Sequence, residues 1–436
     1  MSEPHHSAPA TPQPTAFYDV LEQRAESERE RALLAALPGL VAQAQTGTSA
    51  FADILRGVDA AVIASRTALA KLPVTRKNDL LERQKAARAS QAGDPFGGFS
   101  AIGWRGLARP HGARNVYQSP GPIYEPQGQA GDYWRMARAL FAAGFRAGDL
   151  LHNSFSYHLT PAGAMLESGA LALGCTVFPG GVGNTELQLQ AIADLRPQGY
   201  GGTPSFLKIL IEKANEAGLA LPSLTKALVS GEAFPPALRD WLGERGIEGT
   251  QCYATADVGL IAFETSAREG LVIDEGVIVE IVRPGTGDPV AAGEVGEVVV
   301  TVFNPDYPLI RFGTGDLSAI LPGACPTGRT NARIKGWMGR ADQTAKVRGM
   351  FVHAGQVAQI ARRHPEVSKA RLVVSGEMAN DRMTLRIEVD GAPEGIAERV
   401  AQSVREVTKL RCEVELCAVG NLPNDGKVIE DARDFG

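Results

Sequence analysis

Three patterns of apolar and polar residues divide the chain. From residue 17 to residue 81, apolar residues recur every three or four positions, as in FYDVLEQRAESERERALLAALPGLVAQAQ, which predicts amphipathic helices. From about residue 150 to residue 262, short apolar stretches such as LLHNSF and KALVSG alternate with helical patterns such as TELQLQAIADLR and PPALRDWLGERG. Because the strands are apolar and alternate with helices, this segment predicts a parallel sheet covered on both faces.

After residue 277 the sequence pattern predicts mainly β-strands. GVIVEIVRPGTGDPVAAGEVGEVVVTVF contains two β-rich stretches joined by a Gly/Pro-rich connection, which predicts an antiparallel hairpin or a small barrel. After GRADQTAKVRG, a β-α-β-β-α-β order predicts a compact α+β domain. The predicted fold class is therefore α/β, with a doubly wound, mostly parallel sheet and a small β-barrel-like part in a large N-terminal domain, and a small α+β C-terminal domain. The predicted boundaries are a disordered lead at 1–16, a large domain at 17–339 and a small domain at 340–436.

Composition narrows the classes of function. The 436 residues carry a net charge of −5, without the basic excess typical of nucleic-acid binding. No apolar run is long enough to span a bilayer, and the first residues lack an apolar signal core. The five cysteines are scattered without C-x-x-C spacing, which fits a reducing compartment. We therefore expect a cytoplasmic protein that binds neither nucleic acid nor membrane.

Polar and aromatic residues follow several predicted strands. SYHLTPAG follows the first strand of the alternating segment, Glu232 follows KALVSG, and the stretch from Tyr253 to Asp257 follows GTQC. Asp316 follows YPLIRFG further along the chain. Because ligands of open α/β sheets bind beyond the carboxyl ends of the strands, these residues predict one shared crevice.

These blocks, taken together, resemble the phenylacetate–CoA ligase family within the adenylate-forming acyl-CoA synthetases. The resemblance covers nearly the whole chain and rests on LPVTRKNDLLERQ, PFGGF, LGCTVFPGG, SGEAFPPALRDWL, YATADVG, IRFGTGDLSAILPG, GRADQTAKVRG and LPNDGKVIED. It implies that a carboxylate attacks the α-phosphate of ATP, and that the thiol of coenzyme A then displaces AMP from the acyl-adenylate. It also implies Mg²⁺ and a C-terminal lid that rotates between the two steps.

The resemblance assigns roles to individual residues. Lys427, in a polar loop near the C-terminus, is the expected catalytic lysine, and Asp342 is the expected hinge. Asp257 occupies the position of a magnesium-binding glutamate. The expected acid pocket is lined by Tyr157, Ala162 and Gly163. The expected nucleotide-binding residues are Ser119, Gly121, Ser230, Gly231, Glu232, Ala233, Tyr253, Ala254, Asp316 and Arg340.

The phosphate side departs from the family pattern. Relatives carry a loop rich in Ser, Thr and Gly that ends in Gly-Lys-Pro; this chain has SPGPIYEP, which keeps Ser119, Gly121 and Pro126 but has Glu125 in place of the lysine. The two other prolines of this stretch lack the N–H groups that a phosphate would need. Ala256 also replaces a hydroxyl residue. The sequence thus predicts a degenerate phosphate loop.

Three functions stay open at this stage. The first is an aryl-carboxylate–CoA ligase that uses ATP, Mg²⁺ and coenzyme A, its activity impaired by the degenerate loop. The second is a ligase-derived binding or regulatory protein with weak or no turnover. The third transfers an aryl group to a carrier-protein thiol. The expected partner is a small aryl carboxylate, and a homodimer is possible. Retention of Lys427 favours an enzyme, whereas loss of the loop favours a binder.

Overall fold

The computed structural model describes residues 16–90, 93–104, 112–283, 286–338, 340–341, 344–348, 350–376, 380–391, 393–423 and 427–433. The predicted disordered lead falls almost entirely outside this part of the chain, and so does the predicted hinge residue Asp342. Within the described part, no helix is long and apolar enough to cross a membrane.

The N-terminal region is helical, as its apolar periodicity predicts. Its elements are α1 (Glu26–Gly47), α2 (Ser49–Ile54), α3 (Arg66–Leu69), β1 (Thr75–Arg76) and α4 (Lys77–Ala89). Helix α1 buries Leu37 and Val41 in a core shared with the β-rich region that follows later in the chain. The backbone N–H of Arg76 donates to the Asp79 carboxylate over 2.7 Å. This contact begins α4 at Lys77.

A hairpin follows at the stretch predicted to be a degenerate phosphate loop. Its strands are β2 (Asn115–Ser119) and β3 (Ile123–Gln127), with Ser119 opposite Ile123. The side-chain amide of Gln84 in α4 donates to the Tyr124 carbonyl over 2.9 Å and accepts from the Tyr124 N–H over 2.8 Å. These two hydrogen bonds fix α4 against β3.

The central layer is a nine-stranded sheet. Strands β4 (Leu150–Asn153), β5 (Thr176–Pro179), β6 (Gly199–Gly202), β7 (Lys226–Val229) and β8 (Glu248–Thr255) pair in parallel in the order β5-β4-β6-β7-β8. Helices α5 (Met136–Ala142), α6 (Ala162–Leu173), α7 (Thr185–Leu195), α8 (Pro204–Glu216) and α9 (Pro236–Gly243) accompany them. Apolar clusters contact both faces of these strands, around Leu151 and Leu228 and around Tyr200 and Val229. The predicted doubly wound parallel sheet is confirmed.

Antiparallel strands extend this layer and form a second sheet. In chain order they are β9 (Gly259–Glu264), β10 (Leu271–Ile273), β11 (Val277–Val282), β12 (Gly296–Val302), β13 (Phe312–Ser318), β14 (Ile320–Leu321) and β15 (Arg333–Ile334). Strands β9, β10, β15 and β14 continue the central sheet beyond β8, and a separate sheet has the order β1-β13-β12-β11. The predicted hairpin is β11–β12, which pairs Val277 with Val302.

The C-terminal residues form β16 (Thr344–Val347), β17 (Met350–His353), α10 (Ala354–Arg362), β18 (Val367–Ser375), β19 (Arg382–Val389), α11 (Ile396–Thr408), β20 (Glu413–Cys417) and β21 (Ile429–Asp431). From β17 to β20 they follow the predicted β-α-β-β-α-β order, and one further strand lies on each side of it. The sheet β20-β19-β18-β21 and the two helices enclose a core that includes Val374, Leu385 and Val400. The position of the domain boundary at residue 340 remains a prediction.

Candidate active site

Asp316 on β13 accepts hydrogen bonds from three other side chains. The Tyr253 hydroxyl donates to Asp316 Oδ2 over 2.8 Å, whereas the Arg340 guanidinium and the Trp337 indole donate to Oδ1 over 2.9 and 3.1 Å. Burial first, and then the Asp316 carboxylate, raise the pKa of Tyr253 well above its ordinary value, so the phenol stays protonated and donates. The structure thus brings together the predicted residues Tyr253, Asp316 and Arg340.

This carboxylate is already largely satisfied by the protein. An ionised carboxylate offers about four lone-pair sites, and the protein's donors already fill three of them. If Asp316 accepts from two ribose hydroxyls, one protein donor must therefore withdraw. The exposed Trp337 is the donor that water can most readily satisfy after such an exchange.

The turn after β8 places Asp257 beside a cation from another part of the chain. Asp257 is buried, and its Oδ2 lies 3.1 Å from the Lys77 amino group at the first position of α4. Thr255, two residues earlier, accepts from the Val258 N–H over 3.3 Å, which closes the turn. Its hydroxyl therefore stabilises the turn that presents Asp257.

Glu125 of β3 lies next to this ion pair. It is buried, and it accepts from the Ser119 hydroxyl over 2.7 Å. Burial first, and then the Asp257 carboxylate, raise the pKa of Glu125 well above its ordinary value, against the opposing effects of Lys77 and Ser119. The same two carboxylates favour the charged form of Lys77, whose pKa is raised although burial opposes the charge. Lys77, Glu125 and Asp257 therefore form one interacting group.

The hairpin lies where the sequence predicts a degenerate phosphate loop, and its turn offers few groups to a phosphate. The Ser119 hydroxyl is engaged by Glu125, and Gly121 lies exposed in the turn between Ser119 and Ile123. Pro120 and Pro122 flank Gly121, so this turn has few N–H groups to offer. A nucleotide-binding role for Ser119 and Gly121 remains a prediction, and the Ser119 hydroxyl could serve a phosphate only by leaving Glu125.

The segment after β7 is held to neighbouring strands. The Ser230 hydroxyl donates to the Cys252 carbonyl over 2.8 Å, which ties the end of β7 to β8. Gly231 has a φ of +82°, where a side chain would be strained. The Glu232 carboxylate accepts from the Ser205 hydroxyl over 2.5 Å. Ala233 follows Glu232, Ala254 follows Tyr253 in β8, and both are half-buried; nucleotide contacts of these residues stay predictions.

Two residues of the predicted acid pocket, Tyr157 and Gly163, are held by Asn153 at the end of β4. Its side-chain amide donates to the Tyr157 hydroxyl and to the Gly163 carbonyl, both over 2.8 Å. The Gly163 N–H donates to the Ser156 carbonyl over 2.8 Å. Burial and the neighbouring Glu167 raise the pKa of Tyr157, so its hydroxyl is neutral. Ala162 begins helix α6 directly before Gly163.

We expect Gly163→Ala to weaken use of the acid. A Cβ at this position would lie 2.8 Å from both the Ser156 carbonyl oxygen and the Tyr157 ring, so Tyr157 must move. Overpacking of this kind costs about 1–3 kcal/mol, and we expect the KM for the acid to rise roughly tenfold. Steady-state kinetics at saturating and at subsaturating ATP measure the KM for the acid. Gly243→Ala is the control, since a Cβ there meets nothing within 4 Å; equal KM values for the two variants would contradict the pocket assignment.

Lys427 lies in the C-terminal region. It is exposed, and its backbone carbonyl accepts from the Arg371 guanidinium over 3.1 Å, just before β21. Arg371 also pairs with Glu430 of β21 over 3.2 Å. These contacts fix the backbone at Lys427 to strand β18, and the catalytic role of its amino group remains a prediction.

Two residues of this crevice escaped the sequence analysis. Trp337 lies outside the quoted motifs, and nothing in its local sequence marks it. Lys77 did carry a signal, because it occupies the first position of α4, where the helix dipole disfavours a cation. A lysine at such a position requires an anionic partner, and Asp257 supplies it.

The carboxylates fit a hard divalent cation. Asp257 Oδ1 and Glu125 Oε2 are buried and have no hydrogen-bond donor in the described part of the chain. Such oxygens suit Mg²⁺, which binds one or two carboxylates and completes its shell with phosphate oxygens and water. The described residues contain no cluster of three or more His, Cys, Asp or Glu side chains arranged for a metal, so phosphate and water would supply the other ligands.

Comparisons with known proteins identify the family. The profile of the family described as AMP-binding enzyme matches residues 136–302. The 2-hydroxyisobutyryl-CoA ligase, solved with 2-HIB-AMP and CoA, superposes with a TM-score of 0.79 over 98% of this chain and 94% of that one, at 24% identity, and so shares the fold. The phenylacetate-coenzyme A ligase of Aromatoleum evansii is 28% identical, with 83% of each chain covered. That of Thermus thermophilus is 30% identical over 84% of this chain and 87% of its own length. The chain therefore belongs to the phenylacetate–coenzyme A ligase family of AMP-binding enzymes.

Proposed function

We propose that the protein activates an aromatic carboxylic acid with ATP and transfers the acyl group to coenzyme A. The observation that carries the proposal is the juxtaposition of two groups of residues. One is the Asp316 carboxylate with Tyr253 and Arg340, and the other is the Lys77–Asp257 ion pair, which lies close enough to Arg340 for their charges to interact. The relatives' names support a CoA ligase and an aryl acid.

In the first step, an oxygen of the acid attacks the α-phosphorus and the bond to pyrophosphate breaks. The Asp316 carboxylate accepts from the ribose, and the Tyr253 ring offers an apolar face to adenine. Arg340 and Lys77 lower the cost of bringing a carboxylate to a phosphate, because both carry positive charge in the crevice. Bound magnesium would neutralise phosphate charge at Asp257.

In the second step, the thiolate of coenzyme A attacks the acyl carbonyl carbon and the bond to AMP breaks. AMP leaves with the oxygen that came from the acid, so the products are an aryl thioester and AMP. Tyr157 and Gly163 position the aryl group during both steps, because Asn153 holds them together at the end of β4. A pocket at a strand end places the acyl carbon near the nucleotide.

The test is a pyrophosphate-release assay with ATP, Mg²⁺ and a panel of aryl and alkyl acids. We expect release with aryl acids, and formation of AMP and an aryl-CoA in equal amounts when coenzyme A is added. Pyrophosphate release without aryl-CoA formation, but with transfer of the aryl group to a carrier-protein thiol, would identify the alternative acceptor. Absence of release with every acid would overturn the ligase proposal.

A second candidate is a binding or regulatory protein that holds AMP or an acyl-adenylate. The hairpin favours it, since the Ser119 hydroxyl is bound to Glu125 and the turn has few N–H groups for a triphosphate. In this case AMP should raise the melting temperature more than ATP does, and pyrophosphate release should be absent.

A further inference from the structure

Glu125 and Asp257 each use one carboxylate oxygen within the protein and leave the other without a donor. Ser119 donates to Glu125 Oε1 over 2.7 Å, and the Lys77 amino group lies 3.1 Å from Asp257 Oδ2. No N–H or hydroxyl of the described residues donates to the remaining oxygens, Glu125 Oε2 and Asp257 Oδ1, which are buried, and the two carboxyl groups lie within hydrogen-bonding reach of each other. The two residues expose only 3% and 6% of their surface. Two buried carboxyl groups so close together must share a proton or bind a cation, since two bare carboxylates there would be costly.

A cation is the ligand that two neighbouring carboxyl groups share in place of a proton. The nearest positively charged side chains do not fill that position, because the Lys77 amino group lies 3.1 Å from Asp257 Oδ2 and Arg340 is paired with Asp316 over 2.9 Å. The elements that carry these residues are held together. Gln84 joins α4, which carries Lys77, to β3, which carries Glu125, through two hydrogen bonds. The spacing between Lys77 and Glu125 is therefore fixed. A rigid pair of carboxylate oxygens in a buried position suits a hard divalent cation.

We propose that Glu125 is a second protein ligand, with Asp257, of a divalent cation of the Mg²⁺ or Mn²⁺ type. The cation binds Glu125 Oε2 and Asp257 Oδ1, and water or phosphate oxygens complete its shell. Its role in catalysis rests on the ligase function proposed above, whereas its binding does not. The hairpin then replaces the N–H groups of a phosphate loop with a carboxylate that holds the cation for the phosphates.

The test is titration of the full chain with Mn²⁺, followed by electron paramagnetic resonance of the free ion, without nucleotide or acid. We expect Glu125→Gln and Asp257→Asn each to weaken Mn²⁺ binding by at least about tenfold, since even residues that only orient a metal ligand are worth 10- to 100-fold. Lys77→Ala should strengthen binding several-fold, because it removes a competing positive charge. Glu82→Gln is the control, an exposed carboxylate of α4 that pairs with Lys85.

The outcomes separate this proposal from the ligase function. If Glu125→Gln binds Mn²⁺ as the wild type does, or if Glu82→Gln weakens binding equally, Glu125 is not a ligand. Should Glu125→Gln fail to fold, Ser119→Ala tests the same site, since it releases Glu125 Oε1; unchanged Mn²⁺ binding would then count against the proposal. Mn²⁺ binding that depends on Glu125 in a protein unable to form adenylates would overturn the ligase function alone.

Discussion

Lys427→Ala should release pyrophosphate about 10²- to 10³-fold more slowly than the wild type, the usual loss for a group that stabilises charge only in the transition state. Two negative groups, the acid and the α-phosphate, must approach each other during adenylation, and an ammonium between them lowers the barrier. Lys427 is proposed to stabilise the transition state of adenylation and not the bound ATP. The variant should therefore bind ATP within about threefold of the wild type.

The measurement is single-turnover pyrophosphate release, with ATP binding followed by calorimetry. Lys409→Ala is the matched control, because Lys409 is another exposed lysine of the C-terminal region, at the end of α11. A normal rate for Lys427→Ala, or an equal loss in the Lys409 variant, would remove Lys427 from the mechanism. Thioester formation from a supplied acyl-adenylate should persist in Lys427→Ala, since that half-reaction brings no second anion to the α-phosphate.

The second large effect is expected for Asp316→Ala, in nucleotide binding. Two hydrogen bonds from ribose hydroxyls to a carboxylate would be lost, each worth about 1.5–3 kcal/mol. Part of this loss is offset, because the wild-type carboxylate must first release a donor of its own, such as Trp337. We expect AMP binding to weaken by roughly 10²-fold.

Calorimetry with AMP and with ATP measures this change, and both affinities should fall alike because both ligands carry the same ribose. Asp240→Ala is the control, an exposed aspartate in α9 on the same large sheet region. The wild-type affinity in Asp316→Ala would show that the nucleoside binds elsewhere. A drop for ATP but not for AMP would instead place Asp316 near the outer phosphates.

The two predictions differ in how far the sequence alone supports them. The sequence pattern predicts that Tyr253 and Asp316 directly follow apolar strands, where ligands of open sheets bind. The structure instead has Tyr253 within β8 and Asp316 within β13 of the second sheet. The structure then showed them in contact over 2.8 Å. Lys427 was placed by resemblance alone, since a lysine in a polar loop carries no pattern of its own. Its approach to the crevice depends on the arrangement of the two regions, which no local pattern encodes.

The sequence by itself determined the alternation of strands and helices and the family, because these follow from periodicity and from motifs within single segments. Only the tertiary structure decided that Lys77 pairs with Asp257 across 180 residues, that Ser119 serves Glu125, and that Trp337 joins Asp316. The physical reason is that a buried charge must be paired or hydrogen-bonded, and its partner is selected by proximity in space, which packing of distant segments sets.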